Sequence, residues 1–144
     1  MQSQNFINSL TFVPSSKTYP DGLIASAGKD TIIDVRKPGS SPDQNAERLL
    51  LGHAQNVCTL DATADGRGII SGGWDKQARV WDIERGESVL ELQGHEASVW
   101  AVLAYDDEHL ITGKIMVVLI LPRRRVGNTT GSSCVLNSCR NPCG

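Results

Sequence analysis

A Gly-His pair that recurs along the chain constrains its fold more than any other feature. Gly52-His53 and Gly94-His95 lie 42 positions apart, and each leads into a similar segment, GHAQNVCTLDA and GHEASVWAVLA. The first segment continues through DGRGIISGGWDKQARVWD, where Trp81 lies 28 positions after His53. Self-similarity at a period of about 40–45 residues is the mark of a protein built from one repeated unit. The chain is therefore expected to repeat a single supersecondary structure.

Each copy is predicted to be a small antiparallel sheet. In the middle copy, alternating apolar positions and glycine-containing turns predict strands at Val57–Ala62, Gly68–Ser71, Ala78–Asp82 and Ser88–Gln93. An earlier copy, ASAGKDTIIDVR, aligns with the middle copy at an offset of 45, and a partial third copy begins at Gly94 and places Thr112 where Ser71 stands. The predicted fold class is all-β.

Composition is that of an ordinary globular protein. The chain has 144 residues, enough for one domain, with 40% apolar residues, 21% charged residues and a net charge of −2. This balance does not point to nucleic acid or to a membrane surface. The longest apolar run, residues 115–121, is far shorter than the roughly 20 residues that span a bilayer, and the amino terminus lacks the pattern of a secretory signal. We expect an intracellular protein with reduced thiols.

The Gly-His and Trp-Asp marks at this period resemble WD40 repeats, each of which forms one four-stranded blade of a β-propeller. The resemblance implies a structural hydrogen-bond network of four residues, which are His53, Ser71, Asp75 and Trp81 in this sequence. A Ser-His-Asp catalytic arrangement is the alternative interpretation. Because buried polar groups need partners, four mutually bonded groups favour the structural role, and no enzymatic activity is expected.

The resemblance predicts a partial propeller over residues 5–113, with blades at about 5–51, 52–93 and 94–113, the last one incomplete. In the first blade Arg36 stands where Trp81 would be, and no Gly-His precedes Ser9, so its network is expected to be incomplete. A propeller needs roughly four to eight blades to close. About two and a half blades with open edges are expected to be marginally stable and prone to aggregate.

Residues 114–144 do not continue the pattern. After HLITG the repeat predicts a turn aspartate, a third strand and a Trp, and the sequence instead runs IMVVLILPRRRVGNTTGSSCVLNSCRNPCG. We expect an aberrant or disordered tail without a third strand. It could be translated across an intron or in a shifted frame, or be a genuine alternative terminus with a short apolar anchor.

Four residues are candidates for binding on the face where the strand-connecting turns open: Trp74, Lys29, Asn56 and Ser98. An exposed tryptophan on a rigid rim is a typical interface anchor. The alternative for Trp74 is a ring that lies flat over the neighbouring blade. Trp100, which alternates with Val99 and Val102, is predicted to be core. The sequence contains no phosphate-binding glycine loop, no strong zinc spacing and no nucleophile elbow, so no cofactor, metal or catalytic residue is predicted.

Three segments are more specific than the repeat marks: NFINSLTFVPSSKTYPDGLIASAGKDTIIDVRKP, LLLGHAQNVCTLDA and LQGHEASVWAVLAYDDEHLITG. Together, from about Asn5 to Gly113, they resemble the propeller of the phospholipase A2-activating protein family. The resemblance implies ubiquitin binding in ubiquitin-dependent protein degradation, in cytoplasm and nucleus, and docking to a Cdc-type AAA ATPase segregase through further domains that these 144 residues do not include. The alternatives are a generic WD40 adaptor for a peptide or another subunit, and a truncated, non-functional gene product.

Overall fold

The structure, a computed structural model, describes residues 6–41, 43–105, 109–114, 117–122 and 134–135. These residues form strands and connecting turns, and none of the described residues belongs to a helix long and apolar enough to cross a membrane. The strands are β1 (Ile7–Val13), β2 (Leu23–Gly28), β3 (Ile33–Arg36), β4 (Arg48–Leu50), β5 (Val57–Ala62), β6 (Gly68–Gly73), β7 (Ala78–Asp82), β8 (Glu87–Gln93), β9 (Ala101–Ala104), β10 (His109–Lys114), β11 (Val117–Pro122) and β12 (Cys134–Val135).

The strands form three sheets in chain order. β1 to β4 form the first sheet and β5 to β8 the second, each an antiparallel meander, and β9 to β11 form the third. The two-residue strand β12 adds to the outer edge of the second sheet, parallel to β8. Strand β5 packs between β1 of the first sheet and β9 of the third, so that the three sheets lie side by side through their first strands. This is the order that the sequence repeat predicts.

The first two sheets share one register. In the first, Ile24 of β2 pairs with Arg36 of β3, and in the second Ile69 of β6 pairs with Trp81 of β7. Both pairs are related by the offset of 45 residues found in the sequence. Because shifting a strand by one residue would turn its apolar side chains to the opposite face, this shared register places corresponding side chains at corresponding points of the two sheets.

Two apolar layers lie between the sheets. The layer between the first and second sheets is closed by fully or nearly fully buried side chains that include Leu23, Ile33, Ile69 and Trp81. The layer that joins the second sheet to the third is made of Ile70, Ala78, Val80, Leu92, Val99, Val102 and Leu110. Since Ile69 and Ile70 are adjacent in β6 and point to opposite faces, the second sheet is covered on both sides. This explains why all six residues of β6 are buried.

Polar contacts between first strands fix how neighbouring sheets meet. Asn8 Nδ2 donates to the carbonyl of Val57 at 3.0 Å, and the Leu60 amide donates to Ser9 Oγ at 3.0 Å. At the next junction the Ala104 amide donates to Asp61 Oδ2 at 2.7 Å. The side chains thereby supply directional bonds that the apolar layers lack.

The expectation of a tail without a third strand is wrong at residues 117–122. β10 extends to Lys114, and β11 pairs with it antiparallel from His109↔Pro122 to Lys114↔Val117. The segment VVLILP is rich in residues that favour strands, so it forms the third strand of the sheet although the repeat's usual marks are missing. The prediction of disorder for the rest of the tail lies outside the described residues, apart from β12.

Candidate interaction site

Four side chains of the second sheet form a continuous hydrogen-bonded chain. His53 Nδ1 lies 2.8 Å from Asp75 Oδ2, and His53 Nε2 lies 2.7 Å from Ser71 Oγ. The indole Nε1–H of Trp81 donates to the same Ser71 Oγ at 2.7 Å. The structure thus brings together all four residues of the network that the resemblance to WD40 repeats implies. They come from the segment before β5, from β6, from the turn after it and from β7.

The chemistry of the partners sets the direction of every bond. A carboxylate only accepts, so His53 Nδ1–H donates to Asp75, and Nε2 accepts the Ser71 hydroxyl proton. Burial lowers the pKa of His53 despite the hydrogen bond and the charge of Asp75, and the Arg79 cation lowers it further. The imidazole is therefore neutral near pH 7. In this state each ring nitrogen has one partner.

This geometry suits a structural role better than a nucleophilic one. Ser71 is fully buried and its oxygen already accepts from Trp81, so its hydroxyl has no open approach from solvent. Asp75 also accepts from the amides of Ala54 at 3.0 Å and Gln77 at 3.2 Å, which ties the turn after β6 to the start of β5. The network therefore fixes the end of the sheet where that turn lies.

The sheet ends that carry this turn form what we call the upper face, defined by Trp74, Asn56, Lys29 and Trp100. The Trp74 amide donates to the carbonyl of Asn56 at 2.9 Å, and in the first sheet the Lys29 amide donates to the carbonyl of Phe6 at 3.3 Å. These backbone bonds hold the candidate residues on a rigid support.

A depression of about 780 Å³ lies in the upper face. It is lined by Phe6, Ile7, Asn8, Lys29, Asn56, Cys58, Trp74 and Trp100. Three of the four candidate residues, Trp74, Lys29 and Asn56, thus lie around one concavity that reaches from the first sheet to the third. The fourth candidate, Ser98, is half-buried and stands outside the lining.

Two tryptophans form the aromatic part of the upper face. The rings of Trp74 and Trp100 lie 6.2 Å apart between centroids with their planes at 57°, and the side chains stay 46% and 48% exposed. Trp74 therefore both contacts the neighbouring sheet and presents ring surface to solvent. The prediction that Trp100 is core is wrong.

The reason for the error is a β-bulge in the matching strand. In β5 the pairing shifts between Val57 and Thr59, which leaves Cys58 out of register and half-exposed on the upper face. Trp100 stands where Cys58 stands in the previous repeat, so it is exposed while Val99 and Val102 are buried. The sequence carried a signal for this exposure, because the apolar residues Val99 and Val102 are three positions apart and do not fit a strict alternation.

Comparisons with known proteins agree with this geometry. Residues 45–82 match the WD40 family, described as WD domain, G-beta repeat. A crystal structure of the WD40 β-propeller domain of Doa1 superposes with a TM-score of 0.68 at 30% identity, over 84% of this chain and 39% of that one. The chain is a partial WD40 β-propeller.

Two curated relatives are similar to the propeller sequence. The phospholipase A-2-activating protein of Xenopus laevis is 36% identical over 106 residues, which are 74% of this chain and 12% of that protein. The ubiquitin homeostasis protein lub1 of Schizosaccharomyces pombe is 32% identical over 78 residues, which are 54% of this chain and 10% of that protein. The chain is thus homologous to these proteins over a small part of their length.

Several residues that line the depression in the upper face were not predicted from the sequence. Phe6, Ile7 and Asn8 belong to the first blade and line the depression, but the repeat pattern in this blade starts only at residue 25. Cys58 also lines the depression, and burial raises the pKa of its thiol, so the thiol stays protonated near neutral pH. These residues come together only because neighbouring blades converge, which no single repeat reveals.

Proposed function

We propose that this WD40 chain is a non-catalytic scaffold that binds ubiquitin, in ubiquitin-dependent protein degradation in the cytoplasm and nucleus. The observation that carries the proposal is the pair of half-exposed tryptophans, Trp74 and Trp100, beside a polar rim on the upper face. The name of the lub1 relative, a ubiquitin homeostasis protein, supports the choice of ubiquitin over other protein partners.

The upper face has the chemistry of a protein-binding hot spot. Tryptophan is enriched among residues that dominate binding energy, because a large ring can bury much apolar area at little cost in conformational entropy. Lys29 and Asn56 supply a cation and an amide at the edge of the same depression. An apolar centre with a polar rim suits the hydrophobic patch of ubiquitin, which is itself surrounded by polar groups.

We also propose that the pathway includes an AAA ATPase of the segregase type. The curated relatives are far longer, since this chain spans about 12% of the Xenopus protein. In this proposal, contact with such an ATPase belongs to parts of the longer proteins that the present chain does not match. The role proposed for these blades is ubiquitin capture alone.

Titration of ¹⁵N-labelled ubiquitin with the unlabelled chain tests the proposal. We expect saturable chemical-shift changes confined to the hydrophobic patch of ubiquitin, because an aromatic anchor perturbs the amides it covers. No change at that patch at the highest soluble concentration would contradict ubiquitin binding and would favour the generic adaptor function.

Variants locate the binding surface. Trp74→Ala and Trp100→Ala are each expected to weaken ubiquitin binding by about 2 kcal/mol, roughly thirtyfold, as truncation of a hot-spot residue does. Val89→Ala is the matched control, because Val89 is an exposed apolar residue of β8 outside the depression. Equal affinities for all three variants and the unmodified chain would place the binding surface elsewhere.

A further inference from the structure

Equivalent positions of the three blades line the depression in the upper face. In β1 and in β5 the pairing register shifts at the same place and leaves Asn8 and Cys58 out of the ladder. Trp100 lies 42 positions after Cys58 and takes its place in the third blade. All three residues line the depression. Bulges are common beside functional sites, because they redirect a side chain out of the regular alternation.

In the second blade, Cys58 is hydrogen-bonded to the side chain of Trp74. An indole N–H only donates, so Trp74 Nε1–H is the donor and the Cys58 sulfur accepts. The thiol in turn donates to the carbonyl of Asn56, which lies 3.9 Å from the sulfur. The same carbonyl accepts the Trp74 amide at 2.9 Å. The Trp74 ring, the Cys58 thiol and the Asn56 carbonyl thus form one connected set of bonds.

These bonds hold Trp74 at two points. The amide bond to Asn56 fixes the backbone of the residue but leaves its two side-chain torsions free to change rotamer. The bond from Nε1–H to Cys58 acts on the ring itself and therefore selects one orientation. In that orientation the ring meets Trp100 at 57° and Trp74 stays 46% exposed.

A fixed ring is an advantage for an interface anchor. A side chain that becomes immobile only on binding loses conformational entropy at that moment, and this loss weakens affinity by about twofold to tenfold. A ring that is already held in its bound orientation avoids most of the loss. The orientation of Trp74 before the partner arrives therefore contributes to affinity.

We propose that Cys58 is a positioning residue for Trp74 in the ubiquitin binding proposed above, on which this inference rests. Its sulfur holds the Trp74 ring in the orientation that contacts the partner. A cysteine suits this position because its side chain is small and leaves ring surface of both tryptophans open, while its sulfur accepts from an N–H and packs well against aromatic rings.

Exchange of the Trp74 indole proton with solvent tests the contact without ubiquitin. In the ¹⁵N-labelled chain, Cys58→Ala should speed this exchange by about twofold or more, because a half-exposed N–H loses its acceptor. Cys58→Ser, whose hydroxyl can accept, should restore most of the protection. Trp81 Nε1–H, which donates to buried Ser71, is the internal reference and should keep its rate. Equal Trp74 exchange in the unmodified chain and Cys58→Ala would overturn the proposal.

Ubiquitin affinity tests the consequence for binding. Cys58→Ala should weaken binding by about twofold to tenfold, and Cys58→Ser by less. Val89→Ala, outside the depression, should leave the affinity unchanged. If Cys58→Ala does not fold, Cys58→Val replaces it, since valine fills a similar volume without an acceptor.

A double-mutant cycle shows whether Cys58 acts through Trp74. When Trp74→Ala is already present, Cys58→Ala should cause no further loss of affinity, because no ring remains to be positioned. An equal loss with and without Trp74 would overturn the positioning role. Ubiquitin binding by the unmodified chain separates the two proposals. If the chain binds but Cys58→Ala keeps full affinity, positioning alone fails, whereas a chain that does not bind overturns the proposed function and the positioning role with it.

Discussion

At the residue scale, the resemblance to WD40 repeats predicted the hydrogen-bond partners of the second blade, but the strand patterns did not predict the exposure of single side chains. The network joins His53, Ser71, Asp75 and Trp81, which are spread over 29 residues, and its pairing is what the WD40 resemblance implies. Exposure depends on bulges and on what a neighbouring blade covers, as with Trp100. Such effects are set by the packing of sheets, and one strand's pattern shows them at most as a break in the alternation of apolar residues.

Removal of the Ser71 hydroxyl should lower the free energy of unfolding. Ser71→Ala leaves both His53 Nε2 and the Trp81 indole N–H without a partner in a buried site, and each unpaired group costs about 1–3 kcal/mol. Urea unfolding followed by tryptophan fluorescence measures the loss. Ser88→Ala is the control in the same sheet, since Ser88 makes only a long 3.4 Å bond to the carbonyl of Leu90. Equal losses for both variants would contradict a special role for the network.

The neutral state of His53 predicts a pH dependence of stability. Burial lowers the pKa of His53 in the folded chain, whereas the unfolded ring has the ordinary value of about 6.5. Its contribution to stability is thus complete above about pH 6.5 and is lost as the pH falls towards the lower folded pKa, because the unfolded state takes up the proton first. Free energies of unfolding measured from pH 7.5 to 5.5 should fall.

The His53→Gln variant provides the comparison. The two other histidines of the chain are present in both proteins, so their contributions cancel in the difference. The variant should show a shallower decline over the same pH range. Parallel curves would mean that His53 does not take part in the pH dependence.

At the element scale, the four strands of the second blade agree with the sequence prediction to within two residues at each end. Gly-containing turns and alternation sufficed there, because the four strands follow one another in an antiparallel meander. Strand β11 was not predicted, because the turn aspartate and the Trp of a WD40 repeat are missing there. The strand propensity of its residues is enough to form it without them. Its partner β10 supplies the ladder that stabilises a run of apolar residues.

The junction between the second and third blades gives a prediction for strand β9. Asp61→Ala removes the carboxylate that accepts from the Ala104 amide, a charge-assisted bond of about 1.5–3 kcal/mol. Amides of β9 and β10 should exchange with deuterium about tenfold faster or more, while those of β7 keep their rates. Asp21→Ala, in an exposed turn of the first blade, serves as the control. Uniform acceleration across all strands would indicate global destabilisation instead.

At the scale of the whole molecule, the three sheets follow one another in an arc that begins with the first sheet and ends with the third. Apolar side chains are exposed at both ends of this arc. Leu10 and Phe12 of β1 are 65% and 58% exposed, and Leu103 and Tyr105 at the other end are 48% and 68% exposed. At the junctions inside the arc, β5 packs against both neighbouring first strands. The end faces thus resemble halves of the internal interfaces, and patches of this kind drive association.

The 144-residue chain by itself should therefore self-associate with rising concentration. Leu103→Glu places a charge on one end face and should shift the sedimentation distribution towards monomer. Val89→Glu, on the outer strand β8, should leave the distribution unchanged. A monodisperse monomer with a sharp, reversible thermal transition for the unmodified chain would show that the end faces are not adhesive.

The central claim is that the upper face, held by the network beneath it, is where ubiquitin binds. Site-specific photo-crosslinking tests it most directly, with a photoreactive amino acid replacing Lys29 at the rim of the depression or Val89 outside it. Irradiation with labelled ubiquitin should give an adduct from position 29 that maps to ubiquitin's hydrophobic patch. The labelled adduct should disappear when excess unlabelled ubiquitin is added. Equal adducts from both positions, or none from position 29, would contradict the claim.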